Sequence, residues 1–173
     1  MQEFADSPPV EKRIGEKLRQ EEQTIATAES CTGGMIGTLV TSISGSSDYY
    51  EQTYVTYSNT AKITDLAVTR ETLDEYGAVS RPVARQMAQR ARDKCRTDWA
   101  VSTTGIAGPT GGTDENPVGT VYIGLAFAGT WGTNKSFTTV ERHEFDGDRQ
   151  ENRELASRQA LELLESEIES RII

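Results

Sequence analysis

At 173 residues the chain is long enough for one ordinary domain and too short for two full enzyme domains. Hydrophobic residues make up 35% and charged residues 26%, with no apolar run near the ~20 residues of a membrane span, so an inserted or disordered chain is excluded. A net charge of -9 argues against nucleic acid as a partner, because counterion release rewards clustered Lys and Arg, not an excess of acids.

Two cysteines, Cys31 and Cys95, cannot form a four-ligand zinc cage. A single histidine, His143, leaves no ready Ser-His-Asp triad, so any chemistry here must run with little or no histidine. No metal and no cofactor is expected. The first twelve residues carry acids and prolines where a secretion signal would carry a basic and an apolar region. A cytoplasmic protein with reduced thiols is expected, its residues 1–8 loosely held.

Ser7 with Pro8 and Pro9 reads as a helix start, and Val10, Ile14 and Leu18 recur at helical spacing in an amphipathic helix ending near Gln23. Residues 24–28 are small and β-favouring. They run into Glu29-Ser30-Cys31-Thr32-Gly33-Gly34 and then apolar Met35, Ile36, Leu39, Val40 and Ile43, which predicts strand, tight turn and helix. After Gly45-Ser46-Ser47-Asp48, the aromatic and β-branched run from Tyr49 to Tyr57 leads into a strand over 53–58. Asn59 is the expected cap of a helix carrying Lys62.

A further helix is predicted over 80–96, with Val83, Met87, Ala88, Ala91 and Cys95 on one face, and a strand over 99–104 follows. Residues 105–117 hold too many glycines and prolines for regular structure, and loops of that length are often functional. Residues 118–128 and 135–145 read as an antiparallel pair, and a helix over 148–169 closes the chain. Helix and strand alternate through most of the chain with a hairpin near the end. The expected fold is therefore a single-domain α/β protein, a three-layer α/β/α sandwich around a mixed sheet, whose site lies at the carboxyl ends of the strands.

Three of those strand ends carry the polar and glycine-rich segments. Ser30, between a strand and a helix opening with Gly33-Gly34, suits a nucleophile, a bound anion or a helix cap equally. A serine needs a base, and with histidine nearly absent that base is a lysine or tyrosine. Lys62, one of five lysines and close after Tyr57-Ser58-Asn59, can serve if burial lowers its pKa, whereas most helix lysines are solvated. The loops at 31–34 and 105–113 can offer backbone N–H groups to a phosphate or oxyanion, though neither matches a P-loop or dinucleotide fingerprint. Arg149 opens the last helix, where its fork can clamp a phosphate or form a surface ion pair. Cys31 reads as a packed neighbour of the site and His143 as a surface residue.

Taken together, Ala28-Glu29-Ser30-Cys31-Thr32-Gly33-Gly34, Gly45-Ser46-Ser47, Val55-Thr56-Tyr57-Ser58-Asn59 with Ala61-Lys62, Gly77-Ala78-Val79-Ser80, Thr104-Gly105-Ile106-Ala107-Gly108-Pro109 with Gly111-Gly112-Thr113 and Pro117-Val118-Gly119-Thr120-Val121, and Phe145-Asp146-Gly147-Asp148-Arg149 resemble the CinA C-terminal family in order and spacing. The match runs from about Ile14 to Leu164. This family is known for nicotinamide-nucleotide amidase, which hydrolyses the carboxamide of nicotinamide mononucleotide (NMN) to nicotinate mononucleotide and ammonia. The resemblance implies Ser30 as nucleophile, Lys62 as general base and Tyr57 as a proton relay beside it. Substrate contacts would come from Thr32, Gly33, Gly34, Thr104 and Gly105, with Ser46, Ser47 and Arg149 toward the phosphate or ribose.

It also implies a three-layer α/β/α fold and a homo-oligomer, a dimer for preference, acting on a small nucleotide without nucleic acid or membrane. Longer members carry a molybdopterin-binding-like domain before this one, so a standalone amidase domain is the expectation here. Two other functions fit the same motifs: a non-catalytic nucleotide-binding module, in which Ser30 merely caps a helix, and a competence- or damage-associated adaptor.

Overall fold

The structure, a computed structural model, describes residues 4–172. In chain order the elements are α1 (Val10–Gln20), β1 (Ile25–Glu29), α2 (Met35–Thr41), a 3-10 turn (Ser46–Asp48), β2 (Tyr50–Val55), α3 (Asn59–Leu66), α4 (Arg70–Tyr76), α5 (Arg81–Cys95), β3 (Trp99–Gly105), β4 (Thr120–Phe127), β5 (Phe137–Glu144) and α6 (Arg149–Ile172). The strands make one sheet in the order β2-β1-β3-β4-β5. β1 runs parallel to β2 and β3, while β4 is antiparallel to β3 and β5, so the sheet is mixed as expected.

Side-chain size sorts the two faces of this sheet. Ile25, Val101, Ile123 and Leu125 point to one side and meet Ile14 and Leu18 of α1, Ile36 and Val40 of α2, and Leu161, Leu164 and Ile168 of α6. Ala26, Ala28 and Ala100 point to the other and meet Leu66 of α3, Leu73 of α4, and Val83, Met87 and Ala91 of α5. The small residues that β1 and β3 turn to this face let α5 lie close. Gly124 on β4 shows how close: a Cβ there would stand 2.7 Å from the Ala84 carbonyl oxygen of α5. The result is the three-layer α/β/α sandwich, and no helix among the described residues is long and apolar enough to cross a membrane.

Several boundaries differ from expectation, each for a local reason. The first helix starts at Val10, with Pro9 extended at its N-cap position, and not at Ser7. The second strand begins at Tyr50 instead of Thr53, because its parallel pairing with β1 starts at Ile25 opposite Tyr50. Ser58, not Asn59, caps α3, its hydroxyl accepting from the Ala61 N–H at 3.0 Å. The seven-residue α4 is unforeseen: its sequence is polar apart from buried Leu73, so it carries too little apolar period to announce itself. Of the segment expected to be loosely held, residues 1–3 lie outside the described residues, and the Pro8 carbonyl accepts from Arg13 Nη1 at 2.7 Å.

Candidate active site

The three parallel strands β1, β2 and β3 all end on the same edge of the sheet. The residues that leave them border a cavity of about 270 Å³, closed by Lys62 of α3 and Arg149 at the start of α6. Brief polar turns at strand ends thus converge on one place because the parallel register makes them neighbours.

β1 delivers Ser30 through a turn held by Glu29. The Glu29 carboxylate is fully buried and accepts from Thr32 Oγ1 at 2.7 Å and from the backbone N–H groups of Gly34, Ile36 and Gly37 at 2.9, 3.1 and 2.9 Å. Those amides are the donors that the first turn of α2 leaves without intrahelical partners. Gly34, at the N-cap with φ +92°, has no side chain to satisfy them, so the strand supplies the anion instead. The expectation that this turn offers N–H groups to a substrate is corrected for two of its residues: Glu29 takes the Gly34 N–H, and the Gly33 N–H donates to the Ser30 carbonyl at 3.1 Å, while Glu29 takes neither the Cys31 nor the Thr32 N–H.

Thr32 is likewise spent on the fold, its hydroxyl lying 2.7 Å from Thr103 Oγ1 as well as from Glu29. Thr32, Gly33 and Gly34 do not line the cavity. Gly33 (φ +60°) and Gly34 (φ +92°) serve the left-handed turn that carries Ser30 past the strand end. Ser46 and Ser47 also stand apart from it. They precede β2, at the amino end of a strand whose carboxyl end faces the cavity, so a strand length separates them from Ser30.

Ser30 itself donates its N–H to the Thr103 carbonyl at 2.9 Å, and its Oγ accepts from Lys62 Nζ at 2.9 Å. Lys62 Nζ also donates to the Thr56 carbonyl at 2.8 Å, and the lysine is 1% exposed. Burial draws its pKa down from the usual lysine value to about 8. Two fixed hydrogen bonds and a lowered pKa let a fraction of the molecules near neutrality present a neutral amine lone pair within reach of the serine proton. Cys31 lines the same cavity, but burial pushes its thiol up to about 12, so it stays protonated and unreactive.

The far wall is the loop after β3. Thr104 lines the cavity and spends its hydroxyl on the Ala78 carbonyl at 2.6 Å, tying in the segment that leads to α5. Gly105 is obligatory, since a Cβ would meet the Thr120 carbonyl oxygen at 2.5 Å and Val121 Cα at 2.8 Å. Ala107 and Gly108 line the cavity, and among the described residues their N–H groups have no partner. Asn152 of α6 holds this loop by donating to the Ala107 carbonyl at 3.1 Å.

Arg149 reaches over from α6, donating through Nη1 to the Gly108 carbonyl at 2.7 Å and through Nη2 to Tyr57 Oη at 3.0 Å. Tyr57 lies on the cavity rim and is 60% exposed. Its hydroxyl pairs with Arg149, and no hydrogen bond joins it to Lys62, whose amine donates to Ser30 Oγ and the Thr56 carbonyl. The structure therefore brings together Ser30, Lys62, Tyr57, Thr104, Gly105 and Arg149 from the expected set. It adds the buried Glu29 and Asn152, which carry no role in the sequence reading, and within the loop expected to offer backbone N–H groups it singles out Ala107 and Gly108. A carboxylate ending an otherwise apolar strand was the one signal available for Glu29. His143 lies apart, on the outer strand β5, with Nε2 against Glu141 at 2.9 Å. No group of three or more His, Cys, Asp or Glu among the described residues is placed to hold a metal ion.

A mixed sheet in a three-layer sandwich, with a buried serine–lysine pair at the carboxyl ends of its parallel strands, defines the class of protein. The model of the CinA C-terminal domain matches residues 8–168, and the chain belongs to that family. It is 50% identical over 153 residues to a CinA-like protein of Salinibacter ruber, covering 88% of this chain and 35% of that one. The competence/damage inducible protein CihA of Agrobacterium tumefaciens superposes with a TM-score of 0.84 at 39% identity, covering 91% of this chain and 92% of the other. A competence-damaged protein (CinA) superfamily structure from Enterobacter cloacae gives 0.86 at 30% identity, covering 95% and 94%. The chain spans 29 to 38% of the length of the first curated relatives it matches.

Proposed function

We propose that this domain is a serine–lysine amidase that hydrolyses the carboxamide of NMN to nicotinate mononucleotide and ammonia. The observation that carries the proposal is the 2.9 Å contact between Ser30 Oγ and a buried Lys62 Nζ in a cavity lined by two cations and no carboxylate. In a chain of net charge -9 such a lining favours an anionic substrate.

Neutral Lys62 takes the Ser30 proton as Oγ bonds to the carboxamide carbon, and the carbonyl oxygen becomes an oxyanion. The unpartnered N–H groups of Ala107 and Gly108 on the cavity wall are donors that can receive it. The Lys62 ammonium then protonates the leaving nitrogen, the C–N bond breaks, and ammonia departs from an acyl-serine. Water attacks that ester, Lys62 accepts its proton and passes it to Ser30 Oγ as the ester bond breaks, and the carboxylic acid formed gives its proton to solvent and leaves as the carboxylate. At pH 7 a lysine of pKa about 8 is neutral in roughly a tenth of molecules, enough to sustain turnover without histidine.

The test is ammonia release from NMN by wild type, Ser30→Ala and Lys62→Ala. Wild-type turnover that falls by ~10³ or more in both variants supports the proposal. Release that persists undiminished in both refutes the assignment, and saturable NMN binding with no turnover indicates a binding module.

A further inference from the structure

Tyr57 and Arg149 form a strap across the cavity mouth, and nothing in the serine–lysine chemistry uses it. Arg149 joins three separate segments: its own position at the start of α6, the loop after β3 through Gly108, and the residue two past β2 through Tyr57. Both partners are neutral oxygens. No carboxylate among the described residues lies within ion-pair range of Arg149, in a chain where acids outnumber Lys and Arg 27 to 18. A guanidinium carries five N–H donors, and two are engaged here, so three remain for a ligand. The Tyr57 hydroxyl accepts from Arg149 and keeps its own proton to donate.

Lys62 has no opening for Tyr57. Its amine is held by Ser30 and Thr56 and is 1% exposed, whereas Tyr57 is 60% exposed on the rim. A relay needs a hydrogen-bonded path, directly or through one water, and the fixed partners of Lys62 lead to the serine and to a backbone carbonyl instead.

We infer that Tyr57 and Arg149 act as one anion-reading unit that sets specificity for a phosphomonoester on the substrate, with Tyr57 orienting the Arg149 fork and donating beside it. This rests on the amidase reading of the cavity. Tyr57 is then a specificity residue, and the proton path of the reaction runs through Lys62 alone. Bound phosphate would take the free donors of Arg149, a charge-assisted contact of the strong kind.

The experiment compares NMN with its dephosphorylated riboside. In Arg149→Met, kcat/KM on NMN should fall about 10- to 100-fold, at least several-fold more than on the riboside, whose smaller loss reflects the lost bond to Gly108. Arg149→Lys keeps the charge but cannot span Tyr57 and Gly108, and should lose part of that preference. In Tyr57→Phe, KM for NMN should rise several-fold with kcat and its pH dependence unmoved. A Tyr57→Phe enzyme that loses kcat equally on both substrates, or whose pH profile shifts, overturns the inference in favour of a relay. Equal losses on both substrates in Arg149→Met overturn it as well.

Inorganic phosphate separates this inference from the amidase reading. It should raise the melting temperature of wild type and not of Arg149→Met, whether or not ammonia is released from NMN. A wild type with no phosphate-dependent shift overturns the strap. A wild type that shows the shift but releases no ammonia leaves the strap standing and removes the amidase reading.

Discussion

Two regions of this molecule gather cationic side chains, and they treat them in opposite ways. Where α1 packs on α6, Arg158 donates to Glu11 at 2.9 Å and to Glu154 at 3.1 Å, with all three side chains buried. Beside them Arg13 grips Glu165 through Nε and Nη2, and Lys17 reaches Glu165 and Glu169. In the cavity, Lys62 and Arg149 bond to Ser30, Thr56, Tyr57 and Gly108, all neutral. Buried charge is costly without an opposite partner. The helix pair meets that cost with carboxylates and so stays inert, while the cavity gives buried Lys62 no carboxylate and so keeps it as a base, and leaves the exposed Arg149 without one as an anion receptor.

The comparison breaks most visibly at Arg158. Arg158→Met leaves the buried carboxylates of Glu11 and Glu154 without that guanidinium, and should cost about 3–5 kcal/mol of stability in chemical denaturation while folded enzyme keeps its kcat. A loss of turnover without loss of stability would erase the distinction between the two regions. Glu29 sharpens it, because it is a charge beside the site that is spent on the fold. Glu29→Gln removes the anion that four donors converge on and turns an amide group toward backbone N–H groups. A loss of about 2 kcal/mol is expected, with turnover in the folded fraction reduced because the turn that carries Ser30 is loosened. Unchanged stability would place Glu29 outside the scaffold.

Periodicity was sufficient for the layers: Val10, Ile14 and Leu18, or Val83, Met87 and Ala91, repeat at helical spacing, and the structure buries them. Scarcity was sufficient for the pair, since a chain with one histidine directs attention to lysine, and Lys62 is indeed buried against Ser30. What the residues could not disclose is which of two uses a polar group serves. Thr32, Gly33 and Gly34 sit in the right motif, yet Glu29 takes the Thr32 hydroxyl and the Gly34 N–H for the start of α2, and none of the three lines the cavity. Ser46 and Ser47 fall on the wrong edge of the sheet because parallel pairing of β1 and β2 fixes which strand ends meet. Tyr57 lies five residues before Lys62 but bonds to a residue 92 positions away, a contact that local pattern cannot encode. The Arg158 cluster spans 147 positions and is invisible for the same reason.

Lys62 is the group on which the account turns, and the pH dependence of turnover tests it most directly. Only the neutral amine can take the serine proton, so activity follows deprotonation of a lysine whose pKa is lowered to about 8 by burial. Measured on NMN between pH 6 and 9.5, kcat/KM should rise about tenfold per pH unit below the midpoint and level off above about 8. A profile that is flat across this range, or already maximal at pH 6 where Lys62 is protonated, would contradict a lysine base acting on Ser30.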